Sequence, residues 1–216
     1  VDHYTYVLAS DGDIQEGISN EASALAGHWG LNKLVVLYDA NNITLDGDAD
    51  IAMSEDVGAR YAALGWNVLT VEDGNNHVAV SAAIAEAKTE TERPTIIVIK
   101  TTIGYGSPNR AGTSKAHGSP LGDDEIKATK DNLGWPSHER FHIPGAALEH
   151  FRTAIDNGTI AQSNWNAVYD AWKMTNPELA VQFEDALAGK LPNGWDSDLP
   201  TFDKADATRS SGGAAL

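Results

Sequence analysis

Leu34-Val35-Val36-Leu37-Tyr38-Asp39-Ala40-Asn41-Asn42 passes from a nearly unbroken apolar run straight into polar residues. Such a run has no polar face to turn toward water, so it reads as a strand buried on both sides, as a parallel sheet requires. Upstream, residues 4–9 form a second β-rich run that also ends in polar turn formers, Ser10-Asp11-Gly12-Asp13. Between the two, Ile18, Ala22, Leu25, Ala26 and Trp29 recur at helical spacing. Downstream the alternation continues. A helix is expected over 54–64 with Gly65 placed to stop it, then a strand over 67–71. Val80, Ala83, Ile84 and Ala87 mark the core face of the next helix, and Pro94 precedes an apolar strand over 95–99. Strands alternating with helices predict right-handed crossovers and an α/β fold built on a doubly wound parallel sheet.

The stretch 104–122 holds Gly104, Gly106, Gly112, Gly118 and Gly122 without periodicity, and reads as a long loop of the kind that carries function. Beyond it the chain turns mostly helical, over 123–133, over 145–156, and in a segment where Trp165, Val168, Tyr169 and Trp172 share one face. That face is expected to be core packing. From residue 191 the composition shifts to Pro, Gly, Asp and Ser, as in a linker or a frayed terminus.

Composition narrows the partners. The 31 acidic against 15 basic side chains give a net charge of -16, which repels nucleic-acid phosphates and anionic lipid headgroups, so neither nucleic acid nor membrane is expected to bind. With no cysteine there is no thiolate to hold a metal, so any bound metal must use oxygen or histidine ligands. No run is apolar enough for a membrane helix and the first residues lack signal-peptide character, so a cytoplasmic home is expected.

In a parallel sheet, ligands collect beyond the carboxyl ends of the strands, where following helices offer amino-terminal NH groups. Two strand ends here carry similar equipment. One offers the carboxylate of Asp11 beside the backbone freedom of Gly12; the other offers the amide oxygen of Asn41 and neighbouring main-chain carbonyls. Hard oxygen ligands of this type suit magnesium or calcium, and a metal held by one carboxylate keeps positive charge for a diphosphate. A helix beginning near Gln15 would add its dipole. Asp-Gly and Asn-Asn are also common turn formers, so local chemistry alone leaves a plain turn open at both places. Asp11-Gly12-Asp13 is similar to the two-aspartate loop of haloacid-dehalogenase-like phosphatases as well. In that family the two aspartates precede a Gly-Thr pair, whereas here glycine separates them and Ile14 follows.

An Asp-Gly turn, a spacer and an Asn-Asn pair together resemble the motif shared by thiamine-diphosphate enzymes. Asp11-Gly12-Asp13-Ile14-Gln15-Glu16-Gly17-Ile18, continuing through Glu21-Ala22-Ser23 to Leu25-Ala26-Gly27-His28, resembles the transketolase family in particular. So do Tyr38-Asp39-Ala40-Asn41-Asn42-Ile43-Thr44-Leu45-Asp46-Gly47, Ser54-Glu55-Asp56-Val57 with Arg60-Tyr61, and Gly65-Trp66. A third block, Thr101-Thr102-Ile103-Gly104-Tyr105-Gly106 leading to Ala116-His117-Gly118, also resembles that family, as does Ala207-Thr208-Arg209-Ser210 near the end. The usual leading glycine of the first motif is Ser10 here, which implies a modest effect on diphosphate packing.

The resemblance implies that Asp11, Asn41 and the main-chain carbonyl of Ile43 hold Mg2+ or Ca2+. It implies that Gly12 and Asn41 meet the diphosphate of thiamine diphosphate, and that His117 reaches both cofactor and sugar substrate as a catalytic group. Glu16 stands where the family keeps an interface glutamate, although an acidic residue at a helix start explains it nearly as well. The implied reaction moves a two-carbon ketol unit from a ketose phosphate to an aldose phosphate, in the pentose phosphate pathway, by a homodimer or with complementary transketolase domains. Dihydroxyacetone synthase, deoxyxylulose-phosphate synthase and a non-catalytic assembly module of the same fold are the rival readings. The expected organisation is a partial diphosphate- and metal-binding domain over 1–140, a helical extension over 141–190, and a linker over 191–216 toward a pyrimidine-binding domain. The family's further histidines and its relay glutamate lie outside this sequence, so the isolated chain is expected to be inactive.

Overall fold

Val35 is fully buried, and Val36 and Tyr38 nearly so, because the strand they form has a neighbour on each side and helices over both faces. In the computed structural model, which describes residues 2–136 and 138–216, the strands are β1 (Thr5–Ser10), β2 (Leu34–Ala40), β3 (Asn67–Val71) and β4 (Thr95–Lys100). All pair in parallel, in the order β1-β2-β4-β3. The connections carry α1 (Asp11–Gln15) and α2 (Gly17–His28), α3 (Val57–Ala63), and α4 (His77–Ala87).

Alternation along the strands divides the core in two. Val36, Tyr38 and Ile96 face Ala26 of α2, Tyr61 of α3 and Trp66 on one side of the sheet. Val35, Val71, Ile97 and Ile99 face Ala83 and Ala87 of α4 on the other. The doubly wound sheet is therefore present as expected. Ile96 and Ile97 of β4 are 0% exposed, and each such burial is worth about 1.5–3 kcal/mol. Tyr61 and Trp66 meet edge to face at 5.1 Å, and the indole NH donates to the Ser23 carbonyl at 2.8 Å.

Small residues set how closely α2 lies against α3. A Cβ on Gly27 would fall 1.9 Å from the Leu64 carbonyl oxygen, a rigid main-chain atom at the end of α3. Gly27→Ala must push the two helices apart and is expected to cost about 1–3 kcal/mol, the range of an overpacked core. Urea unfolding monitored by tryptophan fluorescence checks this; an unchanged midpoint would contradict the close approach.

Several expected elements differ. The expected helix start near Gln15 is instead the end of the short α1, and Glu16, in an extended conformation, separates it from α2. The large apolar residues of α2 point outward: Ile18, Leu25 and, just past its end, Trp29 are exposed, while the small Ser23 and Ala26 are buried. Among the described residues β1 is paired on one side alone, with β2, and Leu8 is 83% exposed. The chain divides into two units, Val1–His142 and Ile143–Leu216. The first ends with α5 (Asp123–Asn132), and the second contains α6 (Gly145–Thr175), α7 (Pro177–Leu187) and α8 (Thr208–Ala215). α6 joins the two helical segments expected over 145–156 and around Trp165. It runs through Gly158, since a lone glycine costs only about 1 kcal/mol and no proline follows until Pro177. The aromatic face expected to be core is only partly covered. Trp165 stacks on Tyr169 at 5.0 Å and Phe183 of α7 joins them, yet Trp165 and Val168 are exposed. Within the expected linker, Thr208–Ala215 is helical.

Candidate metal and diphosphate site

Where β1 ends, Ser10 caps α1. Its backbone NH and its hydroxyl both donate to the Asp13 carboxylate, at 2.8 and 2.9 Å. The hydroxyl that stands in place of the family's glycine is thus satisfied within the turn. Asp11, the next residue, is buried, with 3% of its surface exposed. A buried carboxylate needs donors. Asp11 has two: the Tyr38 hydroxyl donates to Oδ1 at 2.6 Å, and the Asn42 backbone NH donates to Oδ2 at 3.0 Å. Burial, reinforced by the adjoining Asp11 carboxylate, holds the Tyr38 phenol well above the ordinary tyrosine range, so it stays a donor at neutral pH.

Where β2 ends, Asn42 takes a left-handed conformation (φ 61°), which asparagine tolerates better than most residues. This turns the chain back sharply enough for the Ile43 NH to donate to Asn41 Oδ1 at 2.9 Å. Ile43 is buried and bridges Asp48, and the Ala49 NH donates to the Asn42 carbonyl at 2.9 Å, which closes the loop on itself. Asn41 Nδ2 donates to Asp39 at 3.3 Å, and the Thr101 hydroxyl at the end of β4 donates to the same oxygen of Asp39. The ends of β1, β2 and β4 are thereby tied together.

Asp11, Asn41 and Ile43 are therefore neighbours, linked through Asn42. They offer a carboxylate, an amide oxygen and a main-chain carbonyl, the donor set that hard divalent cations take. A Cβ built on Gly12 would meet nothing within 4 Å, so the space over that turn is open to a ligand. These residues fit a metal-bound diphosphate. Among the described residues no group of three histidines, aspartates or glutamates stands together, so a site here depends on the amide and main-chain oxygens.

His117 is exposed at the end of the short 3-10 turn Ser114–Ala116. Its loop touches the Ile43 loop, for a Cβ on Gly118 would lie 3.6 Å from Leu45 Cδ1. At the loop's other end Gly104 (φ 64°) packs so tightly that a Cβ would meet that of Ala116 at 2.8 Å. Glu16 is exposed at the junction of α1 and α2.

Tyr38, Asp39 and Glu125 are supporting residues that reading the sequence did not single out. Glu125, in the first turn of α5, accepts from the Asn109 NH and the Asn109 side chain, both at 2.9 Å, and from the Ser107 hydroxyl. Those bonds, the Asn109 side chain's foremost, hold its carboxyl below the usual glutamate range. A carboxyl with a lowered folded-state pKa contributes stability above its unfolded pKa, about 4.3, and loses that contribution as pH falls through the folded value. Glu125→Gln can keep an oxygen for the Ser107 hydroxyl and the Asn109 NH, but its NH2 then faces the Asn109 side-chain donor and the negative charge is lost. It is expected to lower the melting temperature slightly and to speed tryptic cleavage after Arg110 and Lys115 several-fold at pH 7. At a pH low enough to protonate Glu125 in the parent as well, urea unfolding should bring the two proteins together.

Fold and site together define an α/β domain of the cofactor-binding class, with a cluster of candidate oxygen ligands at the carboxyl end of a parallel sheet. Residues 1–192 match the family described as transketolase, thiamine diphosphate binding domain, and the chain belongs to that family. The transketolase of Bacillus subtilis (strain 168) is 49% identical over 219 residues, taking in 100% of this chain and 33% of the relative. The chain thus spans about a third of such relatives. The solved structure of transketolase from Leishmania mexicana superimposes with a TM-score of 0.85 at 36% identity, over 100% of this chain and 32% of that one. A transketolase complex with sedoheptulose-7-phosphate from Pichia stipitis matches at TM-score 0.80 and 41% identity, over 95% of this chain and 30% of that one.

Proposed function

We propose that the intact protein transfers a two-carbon ketol unit from a ketose phosphate to an aldose phosphate, with this chain supplying the metal and diphosphate site. The observation that carries this reading is the buried Asp11 carboxylate, held from both sides beside Asn41, Ile43 and the open turn at Gly12. The sugar-phosphate complex of the Pichia relative supports the substrate class. Thiamine diphosphate, when bound, supplies the electron sink for carbon-carbon cleavage and re-formation.

The chain's own residues bind and orient. Asp11, Asn41 and the Ile43 carbonyl hold Mg2+ or Ca2+, and Gly12 and Asn41 leave room and donors for the diphosphate. His117, exposed on its pinned loop, presents an imidazole to the sugar, where it donates hydrogen bonds or moves a proton near neutral pH. Glu16 faces outward at the α1–α2 junction, where a second copy of the chain would meet it in a homodimer. A cytoplasmic location completes the reading, supported by the lack of cysteine; among the described residues no helix is long and apolar enough to cross a membrane.

The test is a coupled assay of ketol transfer between pentose phosphates by the intact protein with thiamine diphosphate and Mg2+. Turnover that depends on both additions is expected. Metal-dependent cofactor binding without turnover on any ketose phosphate would make this a binding module instead.

A further inference from the structure

Asp11 and Asn41 are each held by a residue of β2 itself. Consecutive strand residues point to opposite faces, so Tyr38 and Asp39 reach different partners. Tyr38 reaches across to Asp11 on β1's neighbouring turn, while Asp39 takes the Asn41 amide. Tyr38 is only 4% exposed, and its ring is packed in the core with Ile14, Val36, Val57 and Tyr61. Phenylalanine would fill that space equally well. The hydroxyl is the difference, and a buried hydroxyl costs free energy unless it finds a partner. Its partner is Asp11 Oδ1 at 2.6 Å, a short charge-assisted bond.

A carboxylate has about four lone-pair positions. The Tyr38 hydroxyl occupies one on Oδ1 and the Asn42 NH one on Oδ2, so rotation of the group is blocked from both sides and each oxygen keeps a free lone pair. We infer that Tyr38 is a positioning residue that sets Asp11 in its metal-ligating orientation before any ion arrives. This rests on the reading of Asp11 as a metal ligand. Outer-shell partners of this kind typically account for about 10- to 100-fold in metal affinity.

The experiment compares Tyr38→Phe, Asp11→Asn and Tyr61→Phe in the intact protein. Tyr61→Phe is the control: it also removes a buried hydroxyl from the same core, one whose partner is Ser23 at 3.0 Å, away from the ligands. Metal affinity is read by Mn2+ titration with electron paramagnetic resonance at saturating thiamine diphosphate, and the fold by thermal unfolding without metal. Tyr38→Phe is expected to weaken Mn2+ binding about tenfold, while Tyr61→Phe, with a comparable change in melting temperature, leaves Mn2+ binding as it was. Equal Mn2+ affinity in Tyr38→Phe and the parent, with binding lost in Asp11→Asn, would overturn the role of Tyr38 and leave the site standing. Unchanged binding in Asp11→Asn would remove the site itself and this inference with it. Should Tyr38→Phe fail to fold, 3-fluorotyrosine at position 38 keeps ring and hydroxyl, and its fluorine resonance is expected to shift on addition of Mg2+. A resonance indifferent to metal would count against the inference.

Discussion

Asp11→Asn should abolish metal-dependent binding of thiamine diphosphate while leaving the protein folded. Asparagine matches the shape of aspartate but brings an NH2 and no charge. In the parent both carboxylate oxygens accept, one from the Tyr38 hydroxyl and one from the Asn42 NH. The amide satisfies only one of those donors, and its NH2 faces the other, so a modest loss of stability accompanies the change. The larger effect is on the ion. Loss of an outer-shell partner alone costs about 10- to 100-fold in metal affinity, so loss of the only carboxylate in the donor set should cost about 100-fold or more. Calorimetric titration of thiamine diphosphate with and without Mg2+ reads this directly. A variant that keeps the parent's Mg2+ dependence would show that the ion is held elsewhere.

His117→Ala should act on turnover instead. The side chain is exposed and makes none of the bonds that tie the loop down; those come from Glu125, Ser107 and Asn109, and from packing of Gly104 against Ala116. Melting temperature and Mg2+ affinity should therefore hold. Removing a positioned general acid-base group typically costs about 100-fold or more, and that loss is expected in kcat/KM for ketol transfer. Under this account His117→Asn recovers part of the binding contribution through its NH donor but none of the proton transfer, so it restores KM more than kcat. Unchanged turnover in His117→Ala would reduce the residue to a loop histidine.

The strands were readable where both faces are buried. β2 and β4 are continuous apolar runs ending abruptly in polar residues, and runs of that kind alternating with helical patterns fit the middle of a parallel sheet. The helices were less so. α2 looked conventionally amphipathic, yet its contact with the sheet and α3 is made by Ser23, Ala26 and Gly27, since close approach selects small side chains and leaves Ile18, Leu25 and Trp29 outside. Gly158 marks no break because glycine weakens a helix without stopping it.

The candidate ligands were legible because their spacing and surroundings resemble a family motif. Their supports were not. The bond from Tyr38 to Asp11 joins residues 27 apart, and the clasp of Glu125 on Ser107 joins residues 18 apart. No local pattern encodes such pairings. A partial signal was nevertheless present: a tyrosine at the end of an otherwise aliphatic strand buried on both faces must place its hydroxyl somewhere polar, and the nearest strand end carries Asp11.

In this reading one ion is held jointly by the ends of β1 and β2. Crystals of the intact protein grown with thiamine diphosphate and Mn2+ test it most directly through anomalous diffraction. One Mn2+ peak is expected about 2.0–2.5 Å from an Asp11 carboxylate oxygen, from Asn41 Oδ1 and from the Ile43 carbonyl oxygen, with diphosphate oxygens over Gly12. A peak away from these three oxygens, with the diphosphate held by other residues, would contradict it.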